Sequence, residues 1–241
     1  MGGLFFQVFQ PYFEGLRELF FPRKCVVCGG FLEMEERDVC AACMEELPLT
    51  YQWDIVQNAA FERLARRFEL QGAASLMFFG TESDYRNILY GIKYGNRRRL
   101  AVRMGILLGG YLAGSRLFKG CQAVVPVPLH PLRRWKRGYN QAELIAKGVA
   151  QAMGLPLETR LVRRHRRTKT QTKLRGADKM TNVRGAFRLD AARARELQDA
   201  GIRHILLIDD TLTTGSTLSA CAAPLLSAGF HISCATLAFV G

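Results

Sequence analysis

Residues 205–217 read ILLIDDTLTTGST, and the fold turns on how this stretch is read. Residues 205–208 form a short unbroken aliphatic run, the pattern of a central parallel strand covered on both faces. Asp209 and Asp210 follow at its carboxyl end. A turn of small residues comes next, Thr213, Thr214, Gly215, Ser216 and Thr217, and then Leu218, Cys221, Leu225 and Leu226 at helical spacing. Ligands of open α/β sheets sit outside the carboxyl ends of the strands. A turn that enters a helix offers free backbone N–H groups, which suit a phosphate. The two carboxylates are placed to accept hydrogen bonds from ribose hydroxyls. Together these features describe a site for ribose 5-phosphate. The commoner nucleotide fingerprints, G-x-G-x-x-G and G-x-x-x-x-G-K-[ST], are absent.

The chain has 241 residues, room for one substantial domain and a small appendage, and 49% of them are hydrophobic, enough for a core. No apolar run reaches the length of a membrane span, so no transmembrane segment is expected; the longest, around 104–114, is too short and rich in glycine. The N-terminus lacks a charged n-region and a secretory cleavage pattern, which predicts a cytoplasmic protein. A net charge of +13 favours polyanionic partners: nucleic acid, an anionic membrane or a small polyanionic substrate. Basic residues gather at 97–99, 133–137 and 163–169. Any one run reads as a solvated face, but three make a positive surface.

Seven cysteines fall into two groups. Cys121, Cys221 and Cys234 are scattered in apolar surroundings, where a buried free thiol is the default. Cys25, Cys28, Cys40 and Cys43 form two C-x-x-C knuckles separated by eleven residues, the ligand set of a tetrahedral zinc site with four cysteine ligands. Gly29 and Gly30 permit the tight turn after the first knuckle. Redox pairs or disulfides fit an intracellular chain poorly, and an iron–sulfur centre is the main competitor. Four sulfur ligands close the coordination sphere, so the zinc is expected to be structural.

Ahead of the knuckles, Phe5, Phe9, Tyr12, Phe13, Leu16, Leu19 and Phe20 share one helical face, opposite Gln7, Glu14 and Glu18. That polar face is not basic, so the helix is expected to pack on its own protein, and Pro22 ends it. We divide the chain into an amphipathic helix and zinc ribbon over 1–50, a connector over 51–73, and a parallel-sheet α/β domain over 74–241. Residues 123–127 predict a second buried strand running into the proline-bounded loop Pro126-Val127-Pro128-Leu129-His130-Pro131. The donor-rich segment from Arg133 to Gln141 is expected to open a helix that continues to Met153. Residues 167–174 lack apolar periodicity and predict a polar loop, a common carrier of function.

The 205–217 segment closely resembles the motif by which type I phosphoribosyltransferases bind 5-phosphoribosyl 1-pyrophosphate (PRPP). In that family the acid pair holds the ribose 2′- and 3′-hydroxyls and the turn wraps the 5′-phosphate. The resemblance implies the first role for Asp209 and Asp210, and the second for Thr211, Thr213, Thr214, Gly215, Ser216 and Thr217. Further segments occur in a characteristic order: the four-cysteine element, L-x-G-I-K-Y-G at 89–95, V-V-P-V-P-L-H-P at 124–131, K-R-G-Y-N-Q at 136–141, T-x-x-Q-x-x-L at 168–174 and N-V-x-G-A-F at 182–187. Over nearly its whole length the chain looks like a bacterial ComF-family protein. That likeness implies a type I phosphoribosyltransferase fold carrying an N-terminal zinc ribbon. It also implies a link to natural transformation, with single-stranded DNA, a DNA-uptake helicase or other competence proteins as partners.

The same resemblance implies displacement at C1 of PRPP, with Mg2+ bridging pyrophosphate and ribose oxygens. Candidate pyrophosphate contacts are the backbone of Pro128 and Leu129 and the side chains of Lys93, Arg133, Arg137 and Lys179. Lys179 stands where the family usually has arginine, which keeps the charge and loses the planar fork. Thr211 replaces a usual aliphatic residue, and Pro224 lies inside the motif's helix. Thr213 occupies a position where some purine-base relatives carry a carboxylate as general base, so no base is named and the acceptor is not readable. His130 is the only histidine in a plausible site loop, and it reads as a loop residue. Two functions stay open. One is phosphoribosyl transfer to a nitrogen acceptor. The other is a non-catalytic module that recognises nucleotides or single strands, its basic runs following the backbone while Trp135 and Tyr139 stack on bases.

Overall fold

The computed structural model describes residues 22–164 and 185–241. The amphipathic helix expected before Pro22, the polar loop at 167–174 and Lys179 lie outside the described residues. Within them the order is α1 (Ala41–Glu45), a 3-10 turn (Gln52–Asp54), α2 (Ala59–Ala65), β1 (Gly72–Phe79), α3 (Arg86–Tyr94), α4 (Arg98–Gly114), β2 (Ala123–Pro126), α5 (Pro131–Arg137), α6 (Gln141–Met153), β3 (Val162–Arg164), β4 (Phe187–Leu189), α7 (Ala191–Asp199), β5 (His204–Leu212), α8 (Ser216–Ser227) and β6 (His231–Val240). Four strands form a parallel sheet in the order β1-β6-β5-β2, while β3 and β4 pair antiparallel beside it.

The aliphatic run of β5 alternates between two cores, because successive side chains of a strand point to opposite faces. Leu206 and Ile208 face α4, α6 and the ribbon. Ile205 and Leu207 face α2, α7 and α8. All four are fully buried, as a strand covered on both sides requires. Glycine lets α4 and α6 cross closely: a Cβ on Gly105 would lie 2.2 Å from the Ile145 carbonyl oxygen, and one on Gly148 would lie 2.1 Å from that of Val102.

Two departures from the sequence reading matter for the site. The strand does not end before the acid pair. It runs on to Leu212, because β6 keeps pairing with it through Asp209↔Thr236, Thr211↔Ala238 and Leu212↔Phe239. On its other edge β2 pairs only as far as Pro126↔Ile208, after which the proline loop peels away. The β2-facing edge of residues 209–211 is thereby left uncovered. The second departure is the expected helix from Arg133 to Met153, which is two helices. Gly138 breaks it at φ +75°, and α6 restarts at Gln141.

Candidate functional site

The uncovered edge of β5 becomes one wall of a cleft of about 260 Å3. The loop after β2 supplies Val127, Pro128 and Leu129, α5 supplies Arg133 and Arg137, and α3 supplies Lys93. Asp209, Asp210, Thr211, Thr213 and Thr217 complete the lining from the β5 side. Thr214, Gly215 and Ser216 do not line this cleft; Thr214 lies in a neighbouring groove, where Arg63, Arg66 and Arg67 also sit. Gly215 takes φ +75° as the N-cap of α8, a conformation natural to glycine. Thr214 Oγ1 accepts the Ser216 N–H at 3.4 Å and lies 3.0 Å from Ser216 Oγ.

Lys93 Nζ lies 3.1 Å from Asp210 Oδ1 and donates to Thr211 Oγ1 at 3.0 Å. The unusual threonine at 211 thus fixes the lysine that faces the acid pair. Asp210 N–H donates to Asp209 Oδ1 at 2.8 Å. Burial, and then the adjacent Asp210 charge, push the Asp209 carboxyl up to about 7, against the pull of the Asp210 N–H, Lys93 and Arg164. A carboxyl poised there gains from any cation brought against it. The donor set, two adjacent carboxylates opening on a small polar cleft, suits a hydrated Mg2+ that keeps several waters.

Three polar residues join this cleft that the sequence reading did not name as site residues: Asn140, Gln141 and Arg164. Asn140 Nδ2 donates to the Val127 carbonyl at 3.1 Å and ties the start of α6 to the loop. Gln141 is buried, and its Nε2 has no hydrogen-bond partner among the described residues. Arg164 reaches the cleft because β3 pairs it with Phe187 on β4, and its guanidinium lies 5.2 Å from that ring. Burial and the neighbouring Arg133 charge lower its proton affinity. Asn140 and Gln141 fall in the K-R-G-Y-N-Q segment, which was the one available signal; for Arg164 there was only a basic run.

Tyr139 corrects the stacking expectation. It is buried, its hydroxyl donates to the Ile92 carbonyl, and the Arg98 guanidinium covers its ring at 4.9 Å. Trp135 is different, at 86% exposed on α5. His130 caps α5 by accepting the Leu132 N–H at 3.2 Å.

The four knuckle sulfurs lie within 4.8 Å of one another. Cys28 Sγ and Cys40 Sγ are 3.8 Å apart, matching the edge of about 3.8 Å that Zn–S bonds of about 2.3 Å impose on a tetrahedron. Cys40 N–H donates to Cys25 Sγ at 3.3 Å, as backbone amides do to metal-bound thiolates. These residues fit a structural zinc ion. Among the described residues no helix is long and apolar enough to cross a membrane.

Comparison with known proteins gives one match within the N-terminal ribbon and several along most of the chain. Residues 16–53 match the family model of the double zinc ribbon domain; that stretch holds four cysteines, enough for one tetrahedral ion. The chain is 32% identical over 219 residues to the DNA utilization protein YhgH of Salmonella typhimurium, covering 86% of this chain and 92% of that one. It is 27% identical over 229 residues to competence protein F of Haemophilus influenzae, covering 83% and 89% respectively. YhgH of Escherichia coli is 32% identical over 145 residues, 59% of this chain and 61% of the relative.

Proposed function

Since the chain belongs to the ComF family, with competence protein F and YhgH among its members, we propose that it binds PRPP with Mg2+ in the β5 cleft and serves DNA uptake. One observation carries this reading. The acid pair and Thr213 and Thr217 of the turn share a single cleft with Lys93, Arg133, Arg137 and the Pro128-Leu129 loop. An anionic sugar held at its diol by two carboxylates needs cations about its phosphates, and the cleft supplies Lys93, which pairs with Asp210 at 3.1 Å, together with Arg133 and Arg137. Thr213 and Thr217, the turn residues that line the cleft, take the 5′-phosphate. Asp209 and Asp210 take the 2′- and 3′-hydroxyls. Lys93, Arg133 and Arg137 face the pyrophosphate, and Mg2+ would supply further charge neutralisation.

In the transfer itself the lone pair of an acceptor nitrogen forms a bond to C1. The C1–O bond breaks with its electron pair leaving on pyrophosphate, and the acceptor's proton passes to a pyrophosphate oxygen. The chain's contribution is to hold the two reactants and to neutralise the leaving group. Calorimetric titration of PRPP, with and without Mg2+, tests the binding. Micromolar binding that needs Mg2+ and is lost in Asp209→Asn and Asp210→Asn supports it; no heat at millimolar PRPP sinks it. Pyrophosphate release with an acceptor panel then tests turnover.

A second reading, a single-stranded nucleic-acid module, is favoured by one observation. Helix α5 buries none of its residues and presents Arg133, Arg134, Lys136 and Arg137 around the exposed Trp135. A DNA strand has no 2′-hydroxyl for the acid pair, so on this reading it follows α5 and does not fill the cleft. Single-strand binding that persists with PRPP bound assigns the two ligands to separate places.

A further inference from the structure

The loop after β2 is short of backbone donors. It brings Val127, Pro128 and Leu129 to the cleft wall. Proline has no N–H, and the Val127 N–H is taken by the Ile208 carbonyl at 2.8 Å. Of these three residues only Leu129 keeps an N–H for a ligand. A pyrophosphate group presents several charged oxygens, more than one amide can serve.

Helix α6 holds what the loop lacks. Asn140, Gln141 and Ala142 line the same cleft, where the 13 residues of α6 begin. Asn140 stands at the N-cap position without capping, because its side chain donates instead to the Val127 carbonyl. The first bond of the helix runs from the Leu144 N–H to the Asn140 carbonyl at 3.3 Å. Among the described residues the N–H groups of Gln141, Ala142 and Glu143 find no acceptor. Glu143, the acid of the first turn, does not line the cleft and lies 3.6 Å from Arg134. The positive end of the helix is therefore left open toward the cleft, the arrangement that receives anions.

Water can satisfy an open helix end, so the end by itself names no ligand. Gln141 is an independent sign. It is 1% exposed, lines the cleft, and leaves Nε2 without a partner among the described residues. A buried amide donor with nothing to bond destabilises the fold, and native structures leave few of them. A ligand oxygen in the cleft would complete it.

We propose that Gln141 Nε2 and the first N–H groups of α6 bind the pyrophosphate group, alongside Arg133 and Arg137. The backbone grip on the leaving group then belongs to the helix rather than to the Pro128-Leu129 loop. The identity of the anion rests on PRPP occupying the cleft; the anion site itself does not.

Inorganic pyrophosphate with Mg2+ is the probe, titrated into the full chain. Ribose 5-phosphate is the control, since its phosphate falls to Thr213 and Thr217. Gln141→Met removes the donor at nearly constant length. It should weaken pyrophosphate by about tenfold and leave ribose 5-phosphate within about twofold of wild type. Its melting temperature should equal or exceed that of wild type, because an unpaired polar group has gone. A residue kept only for packing predicts the opposite, a lower melting temperature with pyrophosphate affinity unaltered, and that result would overturn the proposal. An equal loss of both ligands, or a wild-type chain that does not bind pyrophosphate, would overturn it too. Pyrophosphate binding that depends on Gln141 in a chain that does not bind PRPP would sustain the anion site and end the sugar reading instead.

Discussion

Asp209 concentrates the electrostatics of the cleft in one carboxyl. Its pKa of about 7 in the folded chain lies above the ordinary 3.8, so folding holds its proton more tightly than the unfolded chain does. That contribution is complete below the ordinary value and is lost as pH rises through about 7. Asparagine keeps the shape and never ionises. Asp209→Asn is therefore expected to raise the melting temperature relative to wild type by an amount that grows between pH 5 and pH 8, measured by calorimetric scans. A constant difference across that range would mean that Asp209 is already ionised at pH 5. The same sign governs binding: affinity for Mg2+ with PRPP should rise as pH passes through about 7, when the carboxylate becomes available. A second residue works from outside the cleft. Arg63 donates to the carbonyl of Thr213 at 2.7 Å and to that of Val240, and it lies 4.2 Å from the Phe239 ring. It pins Thr213, the first residue of the small-residue turn, to the end of β6. Arg63→Ala should cost about 2 kcal/mol of stability and weaken binding of inorganic phosphate, whereas Arg63→Lys should recover only part of either, since one ammonium cannot match the fork.

At the scale of elements, α3 explains how the ribbon and the cleft belong together. The helix carries Lys93, and it is held from both sides. Tyr139 donates to its Ile92 carbonyl, and Val26, between two zinc ligands, packs on the other side. A Cβ on Gly91 would meet Arg97 Cδ at 3.1 Å and Val26 Cγ2 at 3.4 Å. Asp38 of the ribbon then pairs with Arg97 at 3.2 Å and with Arg103 at 3.0 Å. Stripping zinc with a chelator is expected to melt the ribbon and, through α3, to weaken PRPP binding; the metal content and the titration are followed together. Asp38→Asn keeps the left-handed backbone found there at φ +66°, which asparagine tolerates, and should cost about 1 kcal/mol while zinc stays bound. The α4–α6 crossing is less forgiving. With backbone atoms 2.1 Å from where its Cβ would stand, Gly148→Ala must push the helices apart, at a cost of about 3 kcal/mol or more in denaturant melts.

For the molecule as a whole, the +13 charge matters through where it is displayed. The chain has two tryptophans, and Trp53 is buried, stacked on Tyr111 at 4.3 Å. Tryptophan fluorescence quenched by an added single strand therefore reports Trp135. If α5 follows a strand, quenching should be lost in Trp135→Phe, and binding should fall steeply as salt rises, with a slope of about −0.7 per phosphate contacted. Quenching that ignores salt would point to stacking without the basic helix.

How much was legible in advance follows from how local each feature is. The β5 run, the acid pair, the Gly215 turn and the spacing of the four knuckle cysteines are contiguous, and each states its own chemistry within a few residues. Where β5 stops was not legible, because its length is set by β6, which lies beyond the whole of α8. Tyr139 looked like a stacking residue among basic neighbours and is instead a buried prop beneath α3.

The chain's own order of residues determined a parallel sheet whose strand β5 carries an acid pair into a turn of small residues, and a separate knot of four thiols, because strand periodicity, turn chemistry and ligand spacing act over short stretches. Tertiary structure alone decided which cations meet the acid pair, that Arg63 ties the turn to the end of β6, and that a second basic chamber opens beside the cleft. Those relations join residues distant in sequence, and only the packing of helices on both faces of the sheet brings them within reach.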